Sequence, residues 1–253
     1  MSSLDQKKTS FAVVIPLFNE EAGAEKCVRA VLEVLASLPW PCVLITVDDG
    51  SSDDTPAILS RLDEEFADLV VIYRQRNGGY GAGLQTGAQE AHRRDYEYVL
   101  FMDSDLTNPP ADIPKFIPEM EKGIDVIKGC RFCEGGKMVG VPLKRTIMTR
   151  TARLISATLF RIGVKDCTNG FRAIKAEIFL KMPLKERGFP IIMEELYWAK
   201  RFGCTFANVP TTLYNRSTEQ RATLFAYNYP TLAAYLKNAA KALFVRRPPT
   251  KAP

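Results

Sequence analysis

Tyr98-Val99-Leu100-Phe101-Met102-Asp103-Ser104-Asp105-Leu106 is an apolar run that stops at two carboxylates separated by one residue. It holds no turn former before Asp103 and is rich in β-branched and aromatic side chains. That pattern predicts a strand buried on both faces, as in the interior of a parallel sheet. Asp103 and Asp105 then stand at its carboxyl end, where open α/β sheets place their ligands. Two like charges so close raise each other's pKa and call for a shared cation. Hard carboxylate oxygens suit Mg²⁺ or Mn²⁺, with a diphosphate supplying further ligands. The plainer alternative is a solvated strand-end turn with Asp in Asx-type hydrogen bonds.

Working outward, Leu69–Tyr73 is a short strand followed by Arg74-Gln75-Arg76-Asn77-Gly78-Gly79-Tyr80-Gly81-Ala82-Gly83 and a helix to about Arg93. Such a turn lets backbone N–H groups approach a phosphate, with Arg76 adding charge. Leu84 and Gln85 stand where a Walker loop needs Lys and Ser/Thr, and the turn does not follow the first strand. Taken alone it is a tight turn. Further upstream, Cys42–Val47 reads as a strand ending in Asp48-Asp49-Gly50-Ser51-Ser52-Asp53-Asp54-Thr55. Asp54 or Thr55 N-caps the next helix, Ile58 to Phe66, with Pro56 in its first turn, so Asp53 and Asp54 are capping residues. Asp48 and Asp49 form a second acidic strand end that could share a cleft with the first. Phe11–Glu20 begins as a buried strand stopped by Pro16. Glu20 and Glu21 open a helix to about Ala36, with Cys27, Val28, Val31, Leu32, Val34 and Leu35 at helical spacing.

Downstream come Asn108-Pro109-Pro110, a helix around Ile113–Glu121 and a strand Ile124–Lys128. Alternating βα units predict an α/β fold with a doubly wound, mostly parallel sheet. From Gly135 the chain becomes basic: Lys137, Lys144, Arg145, Arg150, Arg153, Arg161 and Lys165 precede the next acid, Asp166. Ile147, Met148, Thr151, Leu154, Ile155 and Leu159 form an apolar helical face among them. This is a membrane-surface helix or a core helix with a solvated face. Asp166–Arg172 turns into a short strand, Ile191–Phe202 is a helix, and Thr205–Pro210 a last strand. Thr231–Val245 is a second basic amphipathic helix, with Leu232, Leu236, Ala239 and Leu243 on one stripe beside Lys237 and Lys241.

The 253 residues, 46% hydrophobic, suffice for one large core. We expect a single domain over 11–245, a disordered segment 1–10 and a disordered tail 246–253. The formal charge of +5 fits an anionic partner without identifying it. Six scattered cysteines, two of them inside strand or helix patterns, predict reduced thiols in a cytosolic compartment, and the Cys130/Cys133 pair, without a second pair or a nearby histidine, reads as incidental. The single histidine, His92, excludes His-based triads. The N-terminus lacks the apolar core of a secretory signal, and no apolar run reaches the roughly 18 residues that span a bilayer.

In order, Ile15-Pro16-Leu17-Phe18-Asn19-Glu20, Val47-Asp48-Asp49-Gly50-Ser51, the glycine-rich turn and Met102-Asp103-Ser104-Asp105-Leu106 resemble the family 2 inverting glycosyltransferases of GT-A fold. The likeness continues through Asn108-Pro109-Pro110, Gly129-Cys130-Arg131-Phe132, Gly135-Gly136, Asp166 and Gly170-Phe171-Arg172, toward the dolichol-phosphate mannosyltransferases and polyprenyl-phosphate glucosyltransferases. It covers about residues 11 to 245. It implies a GT-A, Rossmann-like sheet flanked by helices, with a nucleotide-sugar half (about 11–130) and an acceptor half (about 131–245) carrying the basic amphipathic helices. By that likeness Pro16, Phe18, Glu20, Val47 and Asp49 hold the nucleoside, and Arg76, Gly79 and Ser104 complete the nucleotide site. Asp103 and Asp105 take the metal and the diphosphate. Arg131 is a phosphate-contacting residue near the acceptor, grouped with Arg145, Arg216 and Arg221, and Glu194 matches a helix acid that follows a Met. Thr107 stands where relatives often carry Gln. Arg216-Ser217-Thr218-Glu219-Gln220-Arg221 replaces an Arg followed by Gly-x-Ser-Lys, with Arg221 in the place of the lysine.

The implied reaction moves a hexose from GDP-mannose or UDP-glucose to a polyprenyl or dolichyl phosphate, with no nucleic-acid partner. A phosphomonoester, with a second pKa of about 6, attacks an anomeric carbon without a base. Basic helices would serve both the lipid phosphate and an anionic bilayer, or a membrane partner subunit, placing the protein peripherally at the cytoplasmic face. A saccharide acceptor would need a carboxylate base, for which Glu194 or Glu195 is available. A non-catalytic nucleotide-binding module would be expected to have lost Asp103 or Asp105.

Overall fold

The computed structural model describes residues 9–215 and 229–245. The segments 1–8 and 246–253, Arg216 and Arg221, and the side chains of Lys144, Arg145 and Leu232 lie outside the described residues, so the expectations placed on them do too.

The first half follows the expected order, though β1 continues through Pro16, in register with Val47, instead of stopping there: β1 (Phe11–Leu17), α1 (Ala24–Ala36), β2 (Cys42–Asp48), α2 (Thr55–Glu65), β3 (Leu69–Tyr73), α3 (Tyr80–Arg93) and β4 (Tyr98–Phe101). A 3₁₀ helix, Pro110–Phe116, then leads into the short α4 (Ile117–Glu121) and β5 (Val126–Cys130). The single helix expected around 113–121 is divided because Pro110, Pro114 and Pro118 each remove a backbone donor. α1 starts at Ala24 instead of Glu20. Glu20–Gly23 form a turn whose backbone N–H groups bond across to the next loop, Glu20 to Thr55 Oγ1 (2.9 Å) and Glu21 to Asp53 Oδ2 (3.1 Å).

The second half contributes β6 (Lys137–Val139), α5 (Leu143–Phe160), β7 (Arg172–Lys175), α6 (Ala176–Lys181), α7 (Ile191–Arg201), β8 (Phe206–Pro210), β9 (Thr212–Tyr214) and α8 (Tyr229–Leu243). The central sheet has the order β3-β2-β1-β4-β7-β5-β8. All its pairs are parallel except those of β7, which runs antiparallel to both neighbours. Its register sets Arg172 beside Phe101 of β4 and Lys128 of β5, under the strand end that bears Asp103.

Helices cover both faces of the sheet, which is why β1 to β4 are largely apolar runs rather than alternating. On β1, Ala12 and Val14 face the core shared with α3, α6 and α7, while Phe11, Val13, Ile15 and Leu17 face the core shared with α1, α2 and α4. α3 lies unusually close to β1. A Cβ on Gly87 would sit 2.3 Å from Val14 Cγ1, so part of the glycine run serves helix–sheet packing.

Two expectations need correcting. Cys130 and Cys133 form a disulfide, while Cys27, Cys42, Cys167 and Cys204 are free thiols. The strand end at Cys130 turns back so tightly that the two side chains meet across Arg131 and Phe132. The stripe expected on α8 also splits: Tyr235, Asn238, Ala239 and Ala242 are buried, whereas Leu236 and Leu243 face outward, followed by Phe244 at 88% exposure. On α5, likewise, Leu143 (75% exposed), Ile147, Leu154 and Ile155 are exposed, while Phe160 is buried in the core. No described helix is long and apolar enough to cross a membrane.

Candidate active site

The strand-end acids fall where the sequence places them. Asp103 Oδ1 accepts a hydrogen bond from the Tyr80 hydroxyl at 2.9 Å. Asp105 Oδ1 accepts from the backbone N–H and the Oγ1 of Thr107, at 3.0 and 2.8 Å, so the Asx-type turn of the plainer reading is present at this residue. Ser104 between them is buried. Burial first, and then the charges of Asp105, Glu20 and Asp103, push the Cys27 thiol far up. Burial, with the Asp103 charge next, raises the Tyr80 phenol well above its ordinary value, so it stays protonated and donates.

At the second acidic strand end, Asp49 is 3% exposed. Its carboxylate accepts the N–H groups of Gly78 (3.1 Å) and Gly79 (2.8 Å) and pairs with the Arg74 guanidinium. The glycine-rich turn thus spends its donors on a protein carboxylate, in keeping with the tight-turn reading. Gly79 adopts φ +86°, a conformation a side chain would strain. Asp53 acts as the cap, with Oδ1 accepting the Thr55 N–H at 3.0 Å, whereas Asp54 occupies the N-cap position without a side-chain bond. Loops 18–21 and 51–55 are stitched together further by Asn19, whose N–H bonds Ser51 Oγ at 2.9 Å and whose Oδ1 accepts from Ser52 N at 2.8 Å. Pro16, Phe18, Glu20 and Val47 therefore line adjoining ends of two parallel strands, and Arg76 is exposed beside them.

On the acceptor side Arg131 is 8% exposed at its side chain and paired with Asp166, Nε at 2.7 Å and Nη2 at 2.8 Å, with Nη2 also on Thr168 Oγ1 at 2.7 Å. Burial would raise the Asp166 carboxyl, but Arg131 outweighs it and holds the group below the usual range. Arg131 and Arg153 both lie over the Phe132 ring, 5.5 and 5.0 Å from its centroid.

Of the two carboxylates available as a base, Glu195 is sealed in. Both its oxygens accept from Arg172, at 2.5 Å each, and the two side chains are 2% and 1% exposed. Glu194 Oε2 accepts the N–H groups of Lys185 and Glu186, each at 2.8 Å, and so organises the loop before α7.

Sequence reasoning missed Tyr80, Lys128 and the role of Arg172. Lys128 is fully buried, with Nζ donating to Asn169 O at 2.6 Å; burial, then Arg172, lowers its pKa to about 7. Arg172 also donates Nη1 to Gly170 O at 2.6 Å. The signal for Lys128 was a cation inside an otherwise apolar strand, which is rare unless the charge is paired.

The carboxylates of Asp103 and Asp105 are hard donors one residue apart at a ligand-facing strand end, and they fit a divalent cation. Among the described residues no cluster of three His, Cys, Asp or Glu forms a complete protein cage. That suits a cation of the Mg²⁺ type, which takes one or two carboxylates and fills its shell with substrate phosphate and water.

The family model of Glycosyl transferase family 2 matches residues 12–182, taking in both acidic strand ends and Arg131. Polyprenol monophosphomannose synthase of Mycolicibacterium smegmatis is 30% identical over 208 residues, 81% of this chain and 77% of that protein. Dolichol-phosphate mannosyltransferase of Pyrococcus furiosus is 30% identical over 191 residues, 75% of this chain; the match spans 53% of that longer protein. In three dimensions the chain is similar to glucosyl-3-phosphoglycerate synthase of Mycobacterium tuberculosis, solved with Mn²⁺, UDP and phosphoglyceric acid. The TM-score is 0.66 at 22% identity, over 92% of this chain and 79% of that one. That likeness shows the fold, a GT-A sheet. Family match and relatives together show that the chain belongs to glycosyl transferase family 2 and is a glycosyltransferase.

Proposed function

We propose that this enzyme transfers a hexose from a nucleoside-diphosphate sugar to a polyprenyl or dolichyl phosphate, with inversion. The observation that carries the choice of acceptor is the state of the candidate bases. Glu195 has both oxygens on Arg172 and Glu194 has its Oε2 on two loop N–H groups, whereas a phosphate dianion attacks with no base at all. The names of the two curated relatives support the same acceptor class.

On this reading the acceptor oxygen bonds to the anomeric carbon as the bond from that carbon to the donor's β-phosphate oxygen breaks, and the nucleoside diphosphate leaves with the electron pair. Asp49, with Pro16, Phe18, Glu20 and Val47, seats the nucleoside; Arg76, Gly79 and Ser104 adjoin it. Asp103 and Asp105 would hold Mg²⁺ or Mn²⁺, which when bound supplies positive charge at the departing diphosphate. Arg131, fixed by Asp166, orients the acceptor phosphate together with Arg145, Arg216 and Arg221. The catalytic unit is 11–245, with donor chemistry in 11–130 and acceptor chemistry in 131–245. The outward leucines and isoleucines of α5 and α8, flanked by basic residues, attach the protein peripherally to an anionic cytoplasmic leaflet, directly or beside a membrane partner.

The test is transfer to polyprenyl phosphate against transfer to a free saccharide. Glycosylation of the lipid phosphate is expected. Glycosylation of the saccharide alone, lost on Glu194→Gln, would replace this reading with the base-dependent one.

A further inference from the structure

Two residues to which no role attaches so far lie against the Asp103 carboxylate. Tyr80 opens α3, and its hydroxyl donates to Oδ1 at 2.9 Å. Gly170 leaves room for both groups: a Cβ there would lie 3.0 Å from Oδ2, 3.5 Å from Oδ1 and 3.5 Å from the Tyr80 hydroxyl. One buried cation reaches both residues. Arg172 bonds Gly170 O at 2.6 Å and acts electrostatically on the Tyr80 hydroxyl. Arg172 is itself fixed by Glu195 and by the Phe101 ring, 4.6 Å from its guanidinium carbon. The Tyr80 ring is held independently: it stacks on Phe189 at 4.6 Å, and the next residue, Gly81, donates its N–H to Arg187 O at 2.7 Å.

An aspartate side chain has few torsions, so fixing one oxygen fixes where the other lies. We propose that Tyr80, backed by Arg172 and Gly170, is a positioning residue that sets the orientation of the Asp103 carboxylate toward a divalent cation and the donor diphosphate. The proposal rests on the reading of Asp103 as a metal ligand. It goes further in making Tyr80, on an element remote in sequence from the acid pair, a determinant of metal affinity.

The experiment measures Mn²⁺ binding by the electron paramagnetic resonance signal of the free ion, with UDP or GDP present, alongside turnover as a function of Mn²⁺ and thermal unfolding. Tyr80→Phe keeps the ring and its stacking and deletes the hydroxyl. Gly170→Ala places a Cβ 3.0 Å from Oδ2 and serves if the first variant folds poorly, and Asp103→Asn is the control. Losing an outer partner of a metal ligand typically weakens the metal about 10- to 100-fold. A shift of that size is expected in both variants, with the unfolding midpoint of Tyr80→Phe unchanged and its turnover restored at saturating Mn²⁺. Wild-type affinity in Tyr80→Phe, or a turnover defect that saturating Mn²⁺ does not restore, overturns the positioning role. If Asp103→Asn alone abolishes binding, the metal site stands without that role. Unchanged binding in Asp103→Asn, or none in the wild type, overturns both.

Discussion

Replacing Glu195 by Gln should damage the fold before it touches the chemistry. The Glu195 and Arg172 side chains are 2% and 1% exposed and share two hydrogen bonds of 2.5 Å. Removing one charge leaves the guanidinium buried beside Lys128, with no counter-charge of its own. Breaking such a pair from one side destabilises by about 3–5 kcal/mol. At about 2–4 °C per kcal/mol for a chain of this size, the unfolding midpoint should drop by about 6–20 °C. Urea denaturation followed by circular dichroism measures the same loss as a lower midpoint at unchanged slope. The double replacement Arg172→Met with Glu195→Leu should recover most of it, since apolar residues of similar volume often match a buried ion pair. It should nonetheless remain poorly active, because Gly170 O and Tyr80 lose their anchor. A Glu195→Gln variant of wild-type stability and abolished turnover would refute this reasoning and restore Glu195 as a candidate base.

Asp105→Asn should cut turnover sharply while leaving the unfolding midpoint in place, and chelator should silence the wild type; full activity in excess chelator would remove the metal role. Asp49→Ala should weaken nucleoside-diphosphate binding by calorimetry, since it frees both the Gly78–Gly79 turn and Arg74. Lys128, faced by Arg172, Glu195, Asp166 and Cys167, has its pKa lowered to about 7 by burial first. The unfolded chain therefore binds the extra proton between about pH 7 and 10.5, and this residue's contribution to stability rises with pH there, by at most about 1.4 kcal/mol per unit. Lys128→Met should flatten that slope, and an unchanged slope would contradict the burial. Alkylation of the denatured, unreduced protein should modify the four free cysteines and spare Cys130 and Cys133, with all six modified after reduction.

The apolar runs were sufficient to read the donor half, because a strand covered on both faces and a helix with a 3.6-residue stripe leave different periods. β1 to β4 and α1 to α3 fall within a few residues of their sequence readings, and the acid pair falls at the strand end expected of it. The divided helix at 110–121 shows the limit: the apolar spacing there was helical, but three prolines decided which hydrogen bonds could form. The Cys130–Cys133 bond was hidden for a different reason. Spacing alone says nothing about whether a strand end folds back on itself.

The site's supports were illegible because they are set by pairing between distant strands. Nothing local in Arg172 says that β7 will run antiparallel between β4 and β5, yet that register alone brings its guanidinium under Asp103 and beside Lys128. The placement gives the two buried basic side chains, Arg172 and Lys128, a role in the loop beside the acids. Both act through main-chain carbonyls, Lys128 on Asn169 and Arg172 on Gly170, so that their bonds also hold the loop that bounds Asp103. An apolar core at the same place could match the stability but would leave Gly170 without the bond that fixes it. That is the physical reason to bury charge here, and it explains why a strand-end motif readable from nine residues depends on a partner as distant in the chain as Arg172.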